Sequence, residues 1–128
     1  MSAQFRTPMK IARGLGSAQR GAHHFMVQRI TAVALIALGL WIVWIALEIL
    51  HLDYAAARAL IAKPWNAVLM IAFLIASFWH AQLGIQVVIE DYVHAKGLEL
   101  ASQIAIKFAC FLGAAASVLA VIRIALGT

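Results

Sequence analysis

Charge is scarce in this chain. Asp, Glu, Lys and Arg make up 12% of its 128 residues, and five residues in all are acidic. A soluble domain carries about a quarter charged residues and is under half apolar. Here 65% of residues are hydrophobic and the mean hydropathy is +0.94, which excludes a water-soluble fold. Cysteine is almost absent too. Cys110 stands alone inside an apolar stretch, so no intrachain disulfide can form and no oxidising compartment is implied. It reads as a small packing residue. No internal repeat, linker or low-complexity tract interrupts the chain, and its length suits one compact unit.

Long apolar runs are what it has in place of charge. Three of them, at about 30–50, 67–89 and 104–126, each reach the ~20 residues that a ~30 Å hydrocarbon core demands. Lipid offers no partner to backbone N–H and C=O groups, so each run must be a helix. The expected fold class is therefore an all-α membrane protein with three transmembrane helices in a single anchor domain. Polar connectors are expected around Asp53–Trp65 and Glu90–Ser102, and Lys63-Pro64 marks a helix start, with proline in the first turn.

The net charge of +5 could suggest nucleic acid in a soluble protein. Its distribution excludes that partner. Arg6, Lys10, Arg13, Arg20 and Arg29 precede or open the first run, which is the positive-inside pattern. The N-terminal segment, 1–29, is thus expected in the cytoplasm, and the Glu90–Ser102 connector on the same side. The first run is too long for a signal-peptide core, lacks a small-residue cleavage site and is followed by two more, so it is read as retained. Trp41, Trp44 and Trp65 fall near the outer ends of the first two helices, where indole favours the interface. Gly113 and Ser117, four apart, allow close helix approach; ordinary bundle packing is favoured over a dedicated partner interface. A three-helix sheaf of this size has little interior, and is expected to pack on a second membrane subunit.

The second run ends in "FWHAQLGIQVVIEDYVH", residues 78–94. At about 100° per residue, Ser77, Gly84, Phe73 and Val87 lie within roughly 60° of His80. Asp91, eleven residues on, returns to about 20°, roughly 16 Å along the axis. His80 therefore sits near mid-membrane, while Asp91 and Tyr92 reach the cytoplasmic surface. A deep ionisable residue is costly and points to function. Neutral imidazole ligates iron, and the small residues Ser77 and Gly84 leave room for a flat macrocycle. The plainer alternative is a histidine that hydrogen-bonds a neighbouring helix. Only one mid-membrane histidine is present, so a six-coordinate haem would need its second ligand from another chain. Gln82 and Gln86 fall on the opposite side, at about 200° and 240°, where a bond to another helix is expected.

"GSAQRGAHHFMVQRITA", residues 16–32, brings Arg29 into the first helix, positioned to pair with a carboxylate or to snorkel to lipid phosphate. His23 and His24 sit just before it.

Taken together, "HAQLGIQVVIEDY" resembles the H-x3-G-x6-D-Y signature of the D-type, cytochrome b-containing membrane-anchor family of succinate dehydrogenase (complex II). "GSAQRGAHHFMVQRITA" resembles the "GSA…H-F…R-x-T-A" stretch of the same family, and the length and basic N-terminus agree across essentially the whole chain. The resemblance implies that His80 is an axial ligand of a haem b shared with a C-type anchor. It implies that Arg29, and His23 more than His24, neighbour the haem propionates. Tyr92 would hydrogen-bond a ubiquinone carbonyl, and Asp91 would shape the quinone pocket and its proton supply. Electrons from succinate would arrive through a flavoprotein subunit and an iron–sulfur subunit on the cytoplasmic face, linking the tricarboxylic acid cycle to the respiratory chain.

A fumarate reductase-type anchor is the near alternative. A small proton-coupled transporter is the distant one, with His80 and Asp91 as relay groups extended by Glu48 and His51; a cofactor-free structural subunit is the third. No transit-like presequence is evident, so a bacterial inner membrane is expected before a mitochondrial one.

Overall fold

The computed structural model describes Met9 and residues 19–127, without the side chains of residues 19, 20, 21 and 24. The basic residues Arg6, Lys10 and Arg13, the Arg20 side chain and that of His24 therefore lie outside what it describes. Between 19 and 127 the chain is helical almost throughout: α1 Gln19–Ile49, α2 Tyr54–Ala62, α3 Pro64–Tyr92 and α4 Lys96–Leu126. Three stretches are long and apolar enough to cross a membrane, namely Phe25–Ile49, Pro64–Tyr92 and Lys96–Leu126. Each overlaps one of the three expected apolar runs, the first run reaching one residue past Ile49.

The helices outrun the apolar runs at their ends. α1 begins at Gln19 and α4 at Lys96, because backbone hydrogen bonding continues after hydropathy falls. Most of the stretch expected as a connector at 90–102 is thus helix, and the link between α3 and α4 is three residues, 93–95.

The first connector is also different from expectation. Asp53 caps α2, its carboxylate accepting from the Ala56 N–H at 2.8 Å, and the alanine-rich YAAARALIA behind it is helical. Lys63 ends α2, its N–H reaching the Leu60 carbonyl, and at the same time starts α3, its own carbonyl accepting the Ala67 N–H at 2.9 Å. Pro64 occupies the first turn of α3, as expected, where its missing N–H costs nothing. Asn66 ties the joint, donating to the Leu60 carbonyl at 2.8 Å. At the far end Gly127 adopts φ 78°, the left-handed cap that glycine takes without strain.

α3 is the central helix. α4 packs along one side of it and α1 along the other, while α2 folds onto α3 and α4. The α3–α4 seam is tight at Gly113: a β-carbon there would lie 2.6 Å from Phe78 Cε1. The small residue thus serves packing within the chain. Among the described residues only Ile45, Ala67, Leu83 and Val121 are buried. Leu40, Val68, Phe108 and Phe111 are among many large apolar side chains left on the outside, more than half exposed. Such a surface suits lipid or a neighbouring subunit and not water.

Candidate functional site

His80 lies in the middle of α3, half-buried, on the side turned to α1. Its Nδ1 stands 3.1 Å from the Thr31 hydroxyl, a contact between residues 49 apart in sequence. Thr31 Oγ1 in turn lies 2.9 Å from the Val27 carbonyl and 3.0 Å from that of Gln28, one turn back on its own helix. This is a histidine near the middle of a stretch long and apolar enough to cross a membrane, with one ring nitrogen engaged. Among the described residues its Nε2 has no partner, so the hydrogen bond to a neighbouring helix uses only half of the imidazole.

The surroundings of His80 are small. Ser77 and Gly84 flank it one turn away on either side, both half-buried. A β-carbon built at Gly84 would meet nothing within 4 Å, so the helix surface there is open. An available imidazole nitrogen beside an open glycine surface fits a flat, iron-centred group approached from outside the chain. Among the described residues no three His, Cys, Asp or Glu side chains gather. His80 accordingly stands as a lone metal-ligating side chain at this place.

The helix does run as far as Asp91 and Tyr92, both of which are exposed at its C-terminal end. With α3 continuous from His80 to Asp91, the two share a side of the helix roughly 16 Å apart. Tyr92 is 78% exposed, its phenol presented to whatever lies beyond this end.

His23 and Arg29 lie on α1, toward the end that faces the last turns of α3, since consecutive spans run antiparallel. Both are exposed. The Arg29 guanidinium sits 4.8 Å from the centre of the Phe25 ring, an i, i+4 cation–π contact. By helical geometry Arg29 projects about 160° around α1 from Thr31, away from the contact with His80. The chain alone therefore brings His80, Ser77 and Gly84 together within about two turns of α3, and leaves Arg29, His23 and the Asp91–Tyr92 pair at a distance from them. Thr31 is the functional neighbour that sequence reasoning missed; its only signal was its place in the R-x-T-A stretch.

Gln82 and Gln86 do lie away from His80, and among the described residues their hydrogen bonds stay within α3. Gln82 donates to Gln86 at 3.2 Å, and Gln86 to Glu90 at 2.8 Å, forming a ladder down α3. Gln82 also borders an open groove of about 380 Å³ between α3 and α4, with Trp79, Lys107, Cys110 and Phe111.

A membrane subunit of three spans, holding one donor histidine at mid-depth and an exposed acid–tyrosine pair at one helix end, is the class that these features define. Residues 3–121 match the family described as succinate dehydrogenase/fumarate reductase transmembrane subunit, and the chain belongs to that family. It is 36% identical over 121 residues to the succinate dehydrogenase hydrophobic membrane anchor subunit of Rickettsia bellii (strain RML369-C), covering 94% of this chain and 97% of the relative. The protein of that name from Rickettsia typhi is 29% identical with the same coverage. That from Rickettsia conorii is 30% identical over 78 residues, 60% of this chain and 62% of the relative. No solved structure matches the chain.

Proposed function

We propose that this chain is the D-type membrane anchor of a succinate:quinone oxidoreductase in a bacterial inner membrane, with its N-terminus in the cytoplasm. Family membership and the three spans support that reading, and the relatives named above are succinate dehydrogenase anchors, which favours it over a fumarate reductase anchor. The partners are a C-type anchor, an iron–sulfur subunit and a flavoprotein subunit. The observation that carries the reading is His80: mid-span, tied through Nδ1, and with Nε2 unengaged among the described residues.

His80 would hold haem b together with a histidine of the C-type anchor, with Ser77 and Gly84 giving it clearance and Arg29 and His23 as partners for the propionates. Haem b, when bound, supplies a one-electron store. Ubiquinone is the substrate at the other end of the helix. Tyr92 would donate its phenol hydrogen bond to a quinone carbonyl and so polarise it toward reduction. Asp91, beside it at the aqueous boundary, would pass protons to the ring oxygens. Two electrons from the iron–sulfur subunit and two protons then give the quinol.

The test is a dithionite-reduced minus oxidised spectrum of the purified membrane complex, wild type beside His80→Ala. A low-spin b-type signal that is lost or displaced in the variant is expected. A wild-type complex with no haem overturns the haem assignment, and with it the role of His80. For the quinone end, Tyr92→Phe is expected to lower ubiquinone reduction by about 10²-fold, the usual effect of removing one positioned donor. Succinate oxidation with an artificial dye should persist; equal loss of both activities would count against a quinone role for Tyr92.

A further inference from the structure

We propose that Thr31 is the positioning residue of His80: it holds the imidazole as the Nδ1–H tautomer and thereby leaves Nε2 as the nitrogen free to bind a metal. The inference rests on the haem reading above only for what Nε2 meets; the tautomer itself rests on three distances.

A threonine hydroxyl has one proton and two lone pairs. Thr31 Oγ1 lies 2.9 Å from the Val27 oxygen and 3.0 Å from the Gln28 oxygen, and neither carbonyl can donate. At such separations an oxygen pair with no proton between them is repulsive, so the hydroxyl proton must point back along α1. What Thr31 offers His80 across 3.1 Å is therefore a lone pair. The ring must supply the proton, and it can do so only as Nδ1–H. The neutral ring has one N–H, so Nε2 is left as the bare acceptor.

Three consequences follow for how the ring is held. The acceptor position is fixed by α1, and the donating ring by α3, so the imidazole plane is set by the packing of two helices and not by a flexible side chain. A β-branched threonine is stiff at χ1, which keeps the acceptor in place. A hydrogen bond to the far nitrogen also raises the basicity of the ligating one, as second-shell partners of metal-bound histidine do.

The test uses two variants and two readouts. Thr31→Val keeps the branched shape and removes the hydroxyl; Thr31→Ser keeps the hydroxyl. The first readout needs no haem: solid-state NMR of the full chain in lipid, with ¹⁵N,¹³C-labelled histidine, and His80→Ala used to identify the His80 signals. Wild type and Thr31→Ser should show His80 as Nδ1–H, and Thr31→Val should move it toward Nε2–H. A wild-type His80 found as Nε2–H, or a tautomer that Thr31→Val leaves unchanged, overturns the proposal. The second readout is the haem midpoint potential in the assembled complex. It should rise in Thr31→Val, where the ligating nitrogen loses basicity, and return in Thr31→Ser; identical potentials in all three would overturn the link from Thr31 to the ligand. A complex without haem but with the expected tautomers would sink the haem assignment proposed above and leave the Thr31–His80 assignment standing.

Discussion

The two sides of α3 are built on opposite principles. Toward α4 the helix closes: Phe78 fills the surface of Gly113 so fully that a single added carbon would collide with its ring. Toward α1 it stays open: Gly84 has nothing within 4 Å of where its β-carbon would be, and the polar group beside it, His80, is satisfied at one nitrogen only. Both sides use glycine. In one place glycine admits a neighbour of the same chain, and in the other no described atom of the chain comes near it. A membrane helix gains nothing from an empty, half-satisfied side, because a polar group in hydrocarbon is expensive. The difference therefore separates the side closed by packing within the chain from the side on which the haem reading proposed above depends.

The sharpest way to break this comparison is to fill the open side. Gly84→Leu should abolish or displace the b-type haem signal of the complex, read by reduced-minus-oxidised absorbance, while the chain still inserts in the membrane. Full haem content in that variant would mean that the open surface of Gly84 is not used. The same residue change on the closed side, Gly113→Leu, should leave the haem spectrum intact and cost about 1–3 kcal/mol through overpacking against Phe78, seen as a lower thermal inactivation midpoint. Gly113→Ala should be the mildest, since the tip of one ring has only to swing aside. If the two leucine variants behaved alike, the two sides of α3 would not be the separate devices described here.

Much of this was legible from residue order. Three spans follow from apolar length alone, and so does the place of His80 near the middle of the second. The alignment of His80 with Asp91 needed only a continuous helix, which α3 provides. α2 was not read, although its signals were present: Asp53 as cap, an alanine-rich body and Pro64 as the stop. It was hidden because the stretch is short and its polar ends resemble a loop. The starts of α1 and α4 were placed late for a related reason, since hydropathy marks where lipid begins and not where hydrogen bonding begins. Gln82 and Gln86 lie on the side their spacing predicts, and within the chain they pair with each other and with Glu90, as i, i+4 pairing is available without any neighbour. Thr31 was out of reach for a stronger reason. Which threonine meets which histidine depends on the register of two helices, and no local pattern contains that.

One more consequence lies in α2. A helix of nine residues is too short to persist in water by itself. Its hydrogen bonds survive because Asp53 caps one end, Lys63 joins the other to α3, and its flank rests on α3 and α4. The exchange of its amide protons with solvent is consequently a gauge of whether the long helices are docked. The chain carries, at the mouth of its bundle, a native reporter of its own assembly.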